Sequence, residues 1–263
     1  MRFAVDHDLH IHSGLSRCSG CPDQNPETIL KYGEDNGFRT LCLTDHMWDP
    51  DVPGVCEWYA PQDYENIKKA LPLPQTDKIR FLFGCETDMD KHGVIGITKK
   101  TAEELDFIII PTTHMHINGF TLEGTEGAEE RAALWVSRFE AVLDSGLPLY
   151  KAGLAHPTCD LIWPGRSLEV LRLISEDDYH RLFERASKAG LGIELNFSPL
   201  GMDQETIDIV YLPYRIAKEE GCKFYMGSDA HFSTSFPKAK RKFEAHVDIL
   251  DLTEDDKIPL LHY

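Results

Sequence analysis

Short apolar runs alternate along this chain with longer stretches that have helical periodicity. Short runs of this kind predict strands, and a repeated strand-then-helix order is typical of a parallel sheet with helical crossovers. The seven runs that predict strands are residues 3–9, 39–44, 78–84, 106–112, 149–155, 191–197 and 223–228.

The helical stretches between these runs carry start and stop signals. In the first, Asn25 suits the N-cap, Pro26 suits the first helical position, and Gly37 stands just past the end. In the last, Pro213 should kink the helix. That last predicted helix covers residues 203–220, and the others are predicted over residues 61–71, about 126–145, and a stretch that ends near residue 189.

No Pro-, Gly- or Ser-rich linker divides the sequence, and it contains no low-complexity segment or convincing repeat. We therefore predict the α/β class, a TIM-like (β/α)7 barrel, and a single domain over residues 1–263. The connection 46–60 is long, aromatic and Pro-containing. A loop over a site and a solvent-side loop with a few packed aromatic residues are both open interpretations of it.

Polar or metal-competent side chains lie at the end of every predicted strand. The carboxyl ends of parallel barrel strands form one face, and active sites are built there. A lone His after a strand is more often structural, but the same coincidence at seven strand ends favours a metal site. These side chains are, in chain order, His10 and His12, Asp45 and His46, Glu86, His114 and His116, His156, Asn196, and Asp229 and His231.

The mix of these side chains indicates the kind of metal. In an extended strand, residues two apart share one face, so His10 and His12 can bind the same ion. Imidazoles together with carboxylates suit Zn, Mn or Fe, whereas Ca and Mg sites are richer in oxygen ligands. There are too many candidates for one tetrahedral ion. We therefore predict two or three divalent ions, with Glu86 bridging a pair.

Composition narrows the range of partners. The net charge of −17 works against binding to nucleic acid, which needs a basic surface. A small anionic substrate remains compatible, provided that cations lie in the site. The seven Cys are odd in number and scattered, which predicts buried thiols in a reducing compartment rather than disulfides. No signal-peptide pattern or membrane-length apolar run is visible, so we predict a cytoplasmic protein with no membrane partner.

The motifs DLHIHS, LTDH, GCE, TTH, AHP and GSDAH occur in this order between residues 8 and 231. Together they resemble the polymerase and histidinol phosphatase (PHP) family. The resemblance implies a PHP-type catalytic domain with a distorted barrel of seven strands and a trinuclear metal centre. It also implies hydrolysis of phosphate esters by a metal-bound hydroxide.

Carried over by matching motif, the resemblance implies three sets of metal ligands. Many family members complete the third set with a His six residues after the HxH motif, where this chain has Cys18. A thiolate is a sound ligand for Zn or Fe, so we predict Cys18 as its replacement. Cys18 and Cys21 also form a CxxC pair, for which a redox role is the weaker interpretation. The sets are His10, His12, Glu86 and Asp229; Glu86, His114 and His156; and His46 with His231.

Other residues are predicted to act on the substrate. Arg166 has a planar fork that suits a phosphate, although a surface role is the alternative. Asn196 is predicted to bond a ligand histidine or the substrate, and His116 to reach the substrate, with a surface role again the alternative. The residues predicted to act in catalysis are Glu86, Asp229 and His231.

The predicted function is hydrolysis of a small phosphate monoester, in an enzyme similar to histidinol phosphatases. One alternative is an amidohydrolase-type barrel that cleaves C–N bonds. It also begins with HxH but is expected to use a Lys bridge and an eighth strand. The other alternative is a non-catalytic metal-binding regulatory protein, against which the complete ligand set argues. The sequence does not predict the physiological substrate, the metal in the cell or the oligomeric state.

Overall fold

The strands of this chain form one parallel sheet. A computed structural model describes residues 1–261. The sheet order is β1-β2-β4-β5-β6-β7-β8, and the short β3 pairs with β4. The strands are β1 His7–Ile11, β2 Thr40–Leu43, β3 His46–Met47, β4 Arg80–Thr87, β5 Phe107–Pro111, β6 Ala152–Ala155, β7 Gly192–Leu195 and β8 Lys223–Met226.

The sheet curls until its first and last strands meet. The backbone N–H of His12 donates to the carbonyl of Ala230 at 3.1 Å, and that of Asp229 donates to the carbonyl of His10 at 2.8 Å. These bonds lie at the carboxyl ends of β1 and β8. The result is a nearly closed, distorted TIM-like barrel, which confirms the predicted fold class.

Helices follow the strands. The first helix begins as predicted, because the Asn25 side chain accepts a hydrogen bond from the N–H of Thr28, and Gly37 ends it with a φ of 67°. None of the described helices is long and apolar enough to cross a membrane. The helices are α1 Pro26–Asn36, α2 Tyr64–Ile67, α3 Lys99–Glu104, α4 Ala128–Asp144, α5 Ser167–Leu171, α6 Glu176–Ala189, α7 Gln204–Glu219 and α8 Phe236–Leu250.

Two apolar clusters stabilise this arrangement. The larger combines strand and helix side chains. In the smaller, residues from most strands contact one another, which places them inside the barrel. A Cβ on Gly153 would overlap the Tyr225 hydroxyl, so glycine is required where this tyrosine crosses the barrel. The smaller cluster is Leu9, Cys42, Leu82, Phe107, Ile109, Ala155, Tyr225 and Ile258.

Several predicted element boundaries are wrong, for local reasons. The helix predicted over 61–71 is only α2 and a 3₁₀ turn, Lys68–Ala70. Asp63 caps the start of α2, and Leu71, which precedes Pro72 and is therefore disfavoured in a helix, is extended. The stretch that ends near residue 189 is two helices, because Ser175 caps a new start at α6. Helix α7 runs unbroken through Pro213.

The strand ends are also shifted from their predicted positions. The first strand, predicted over 3–9, is His7–Ile11, so His10 lies inside it. The third predicted strand extends to Thr87, which puts Glu86 inside β4 rather than after it. Strand β3 and helices α3 and α8 are additional to the predicted elements. Strand β3 matters for the site, because its pairing sets His46 beside Glu86.

Candidate metal centre

The nine residues predicted as metal ligands converge at the carboxyl ends of the strands. Their ligand atoms form three groups, within each of which all atoms lie within 4.8 Å of one another. These groups match the three sets implied by the motifs, with His12 also near the third. They are site A (His10, His12, Glu86 and Asp229), site B (Glu86, His114 and His156) and site C (His12, Cys18, His46 and His231).

Glu86 stands at the middle of the cluster and belongs to both site A and site B. It is 1% exposed. Its Oε1 faces the site B imidazoles and its Oε2 faces those of site A and His46. One carboxylate thus reaches two groups of nitrogen ligands, which is the geometry of a bridging ligand. The Glu86 oxygens lie 3.2–3.8 Å from ring nitrogens of His10, His12, His46, His114 and His156.

The donor set fits divalent cations. The Nδ1 atom of His46 is buried without a hydrogen-bond partner, although it lies 3.2 Å from Glu86. The Nε2 atoms of His10 and His12 face each other at 3.1 Å. Buried polar atoms are normally paired, so unpaired and mutually facing ring nitrogens point to a cation between them. Nitrogen, carboxylate and thiol donors together suit Zn, Fe or Mn.

Burial and carboxylates oppose each other in setting the proton affinity of these groups. Burial alone would lower the pKa of His12, but Asp229 and Glu86 outweigh it and raise that pKa to about 9. For His46 burial dominates, and its pKa falls to about 3. The pKa of Glu86 lies well below its ordinary value, because His46 and His10 outweigh its burial. A cation entering site A must displace a proton from His12, so binding releases protons.

Glu194 holds two ligands in place from beneath. Its Oε1 accepts a hydrogen bond from Nδ1 of His10 at 2.7 Å. Its Oε2 accepts one from the backbone N–H of His156, also at 2.7 Å. A carboxylate behind a ligand histidine fixes the tautomer and the ring orientation. A Cβ on Gly227 would overlap the Glu194 carboxylate, so glycine is required at this position directly after β8.

Asp88 has the same function behind site B. Its Oδ2 accepts hydrogen bonds from Nδ1 of His114 at 2.9 Å and from the Tyr59 hydroxyl at 2.7 Å. Neither Asp88 nor Glu194 was predicted from the sequence. A signal was present, since Asp88 lies two residues after Glu86 and therefore on the same strand face.

Site C is built differently. Cys18 and His231 are half-buried, whereas the ligands of site A, apart from Asp229, and of site B are buried. Burial, followed by Glu86 and Asp229, raises the pKa of the Cys18 thiol. A thiolate at this position therefore depends on the positive charge of a bound cation. Cys21 lies outside all three groups.

Asp45 shapes the segment that carries Cys18 and takes no place in the three groups. Its Oδ1 accepts hydrogen bonds from the N–H of Ser13 at 2.7 Å and from the Ser16 hydroxyl at 2.6 Å. Ser16 Oγ in turn lies 3.1 Å from Nδ1 of His12. Asp45 thus folds this segment back over the barrel mouth.

Two ligands have strained backbone. Among the described residues, the non-glycine positions with positive φ are His156, Asp229 and Asp251. His156 has a φ of 26° and Asp229 a φ of 52°. Such conformations cost about 1–3 kcal/mol each and concentrate at functional sites. Here they aim two side chains at the cluster.

The cluster opens into a cavity of about 140 Å³, here called the metal cavity. His116 lines it, as predicted for a residue that reaches the substrate. Burial lowers the pKa of His116 to about 4. Trp58 and Tyr59 also line the metal cavity, and Tyr59 packs on Trp48 and Phe120. The 46–60 connection therefore contains packed aromatic residues and also forms a wall of the site.

Arg166 and Asn196 do not line the metal cavity. Both line a second cavity of about 600 Å³, here called the side cavity. Arg166 donates two hydrogen bonds to Glu169, at 2.8 and 2.6 Å, and stacks 3.9 Å from the Trp163 ring. Within the described chain, no arginine or lysine lines the metal cavity. The prediction that Arg166 binds the substrate phosphate at the cluster is therefore wrong for this structure.

Known proteins with related sequences are named as phosphatases. The chain is 24% identical to a probable phosphatase of Thermoanaerobacter sp. (strain X514) over 89% of this chain and 81% of that protein. It is 25% identical to a probable histidinol-phosphatase of Deinococcus radiodurans over 85% of each.

A solved structure shares the fold. The histidinol phosphate phosphatase of Lactococcus lactis subsp. lactis, complexed with Zn, L-histidinol and phosphate, superposes with a TM-score of 0.64 at 17% identity. The match covers 96% of this chain and 98% of that one. The sequence model of the PHP domain matches residues 8–248, nearly the whole chain. The chain belongs to the PHP domain family.

Proposed function

We propose that this protein is a metal-dependent phosphoesterase. It hydrolyses a small phosphate monoester at a centre of two or three divalent Zn, Mn or Fe ions and acts as a histidinol-phosphatase-like enzyme. One observation carries the proposal: nine side chains of matching chemistry converge around the buried Glu86 in three groups. The phosphatase names of its relatives support the same reaction class.

Each group of residues has a defined task in this reaction. Divalent cations, when bound, activate water and neutralise the charge of phosphoryl oxygens. Glu86 would hold one ion in site A and another in site B, and Asp229 and His231 would complete sites A and C, respectively. His116 is neutral at pH 7, because its pKa is about 4. It therefore offers the substrate one donor and one acceptor.

The size and the lining of the metal cavity limit which part of a substrate can bind there. Its volume of about 140 Å³ accommodates a phosphoryl group but not a drug-sized ligand, which needs about 300–1,000 Å³. Trp58, Tyr59 and Leu161 surround this space with apolar surface. They exclude bulk water from the reacting phosphorus and so strengthen the electrostatic interactions of the site.

The alternatives are less well supported. An amidohydrolase-type site would use a lysine bridge, but within the described part of the chain Glu86 takes the central position and no lysine lines the metal cavity. A regulatory protein would not need carboxylates that orient both His10 and His114. We further propose one catalytic domain over residues 1–263, located in the cytoplasm, with a small phosphorylated substrate and no nucleic-acid partner.

Metal removal tests the proposal. The metal content of the purified protein is measured by elemental analysis, and hydrolysis of phosphate mono- and diesters is measured before and after chelation. We expect monoesterase activity that disappears on chelation and returns with Mn, Zn or Fe. Activity untouched by exhaustive removal of metal would contradict the mechanism. Cleavage of cyclic amides in place of esters would favour the amidohydrolase alternative.

A further inference from the structure

The metal cavity is too small for a whole substrate, and the side cavity lies next to it. The side cavity, at about 600 Å³, is within the usual range of small-molecule sites, whereas the metal cavity has about 140 Å³. The same loop after β6 forms both. Thr158, Cys159 and Asp160 line the side cavity, and Leu161 lines the metal cavity.

Cys159 marks how close the two cavities are. Burial raises the pKa of its thiol to about 12, and the negative charges of Asp229 and Glu86 contribute to this rise. The side chain therefore lies within electrostatic range of the metal ligands. Asn196 approaches from the next strand, two residues after Glu194, which holds His10. Residues 159–161 thus bring the two cavities next to each other.

The charged groups of the side cavity are already paired. Both oxygens of Glu169 accept hydrogen bonds from Arg166. Both oxygens of Asp160 lie within hydrogen-bonding distance of the N–H of Gly165, at 3.1 and 2.9 Å. A ligand ammonium would have to compete with these bonds, and a ligand carboxylate would have to displace Glu169 from Arg166.

The remaining surface is apolar, with one unpaired donor. Phe197, Met202, Val210 and Leu168 form most of it. Nδ2 of Asn196 is buried and has no hydrogen-bond partner. A buried amide left unpaired costs about 1–3 kcal/mol, so a ligand acceptor that meets it is favoured.

We propose that the side cavity binds the alcohol half of the substrate, and that this alcohol is uncharged, with an apolar body and one hydrogen-bond acceptor for Asn196. It therefore differs from L-histidinol, which carries an ammonium. The inference rests on the proposed function, since it assigns the phosphoryl half to the metal cavity. It makes the pair Arg166–Glu169 a rim of the alcohol site rather than a phosphate clamp.

Four alkyl phosphates test the size and charge of the alcohol: methyl, n-butyl, 3-aminopropyl and 3-phenylpropyl phosphate. The metal-loaded protein should prefer 3-phenylpropyl to methyl phosphate by about tenfold or more in kcat/KM. It should also prefer n-butyl to 3-aminopropyl phosphate, which has nearly the same shape but carries an ammonium, by about tenfold. A preference for 3-aminopropyl phosphate would overturn the assignment.

Variants test the location. Thr206→Phe and Met202→Trp each place an aromatic ring in the side cavity, and each should lower the 3-phenylpropyl:methyl ratio about tenfold. The matched control is Ala133→Trp, which fills a groove of about 420 Å³ on α4 and should leave the ratio as in the parent. Parent-like ratios in both side-cavity variants would refute the location.

Asn196→Leu tests the acceptor. 2-Phenoxyethyl phosphate places an ether oxygen where 3-phenylpropyl phosphate has a methylene. Asn196→Leu should lower kcat/KM for the ether about fivefold relative to the hydrocarbon, as expected for one lost hydrogen bond. Equal changes for both esters would remove Asn196 from the proposal.

A binding measurement separates this inference from the proposed function. Calorimetry with 3-phenyl-1-propanol needs no turnover, and binding should be lost in Thr206→Phe and Met202→Trp but kept in Ala133→Trp. If the protein binds the alcohol in this way but hydrolyses no ester, the proposed function is contradicted and the side-cavity proposal is not. If the protein hydrolyses esters but does not bind the alcohol in the side cavity, the side-cavity proposal is contradicted and the proposed function is not.

Discussion

His10 of site A and His114 of site B each have a carboxylate behind the ring, whereas His231 of site C has a backbone carbonyl there. His10 donates to Glu194 and His114 to Asp88, at 2.7 and 2.9 Å. In site C, Nδ1 of His231 donates to the backbone carbonyl of Asp229 at 2.8 Å. His10 of site A and His114 of site B are therefore oriented by stronger hydrogen bonds than His231 of site C.

This difference separates a fixed pair of sites from an adaptable third one. A carboxylate behind an imidazole fixes its orientation and increases its basicity, typically worth 10–100-fold in metal affinity or activity. Site C instead has a half-buried thiol and a half-buried imidazole at the edge of the cavity. We expect ions in sites A and B to resist chelation longer than an ion in site C.

The largest effect should come from Glu86, which serves both fixed sites. Glu86→Gln removes a negative charge that would face a cation in each of sites A and B, and a neutral amide bridges poorly. We expect kcat/KM to fall about a thousandfold, equivalent to about 4 kcal/mol. The control is Glu129→Gln, an exposed residue of α4 with no contact to the cluster. If kcat/KM of Glu86→Gln were close to that of the parent, Glu86 could not be the ligand shared by sites A and B.

Asp88→Asn should give the next largest effect. The amide accepts a weaker hydrogen bond from His114, so site B loses its fixed imidazole. We expect metal affinity or activity to fall 10–100-fold. Tyr59→Phe removes the other hydrogen bond to the same carboxylate oxygen and should cost less. Equal metal affinity in Asp88→Asn and the parent, measured by competition with a chelator, would refute the orienting role.

A histidine outside the centre shows what burial does without carboxylates. His246 lies between the Tyr211 hydroxyl and the Phe197 carbonyl, at 2.7 and 2.8 Å. Burial, opposed by the Phe197 hydrogen bond and assisted by Lys242, lowers its pKa to about 4. In contrast, the buried His12 has a pKa raised to about 9 by its carboxylates.

The low pKa of His246 predicts a loss of stability in acid. Because the unfolded state binds this proton first, the contribution is fully present above pH 6.5 and is lost as pH falls towards 4. At pH 5 the loss should be about 2 kcal/mol. Denaturant unfolding of the parent and His246→Gln from pH 7 to pH 5 measures it. Parallel pH profiles for the two proteins would contradict the assignment.

The smallest effect concerns Cys18. Cys18→Ser replaces a soft thiol with a poorer ligand, so an ion in site C should bind about tenfold more weakly while the ions around Glu86 remain. Cys21→Ser is the matched control, since Cys21 lies outside the three groups. Elemental analysis after mild chelation should find one ion fewer in Cys18→Ser alone. Unchanged stoichiometry would exclude the thiol from the site.

Much of the centre was predictable because its ligands follow simple strand geometry. His10 and His12 lie two residues apart on β1, and Glu86 and Asp229 lie at the ends of their predicted strands. In a parallel barrel those ends must meet, whatever the exact boundaries. The seven-unit pattern predicted the barrel for the same reason, although it did not give β3, α3 and α8 and joined α5 and α6 into one helical stretch.

Features that depend on tertiary packing were not predictable in this way. Glu194 stands inside the apolar run LGIELNF, where only the fold shows that its carboxylate reaches His10 and His156. Arg166 follows the β6 loop, and that loop places it beside the side cavity instead of the cluster. Sequence patterns fix which strand a residue leaves from, but they do not fix the path of a long loop.

The central claim is that Glu86 bridges two ions while Cys18, His46 and His231 hold a third. Crystals grown with Mn or Zn and measured at the absorption edge of the metal test it most directly. The account predicts two anomalous peaks that flank Glu86 and a third, weaker peak beside Cys18. Density maps without an anomalous peak within coordination distance of Glu86 would contradict it.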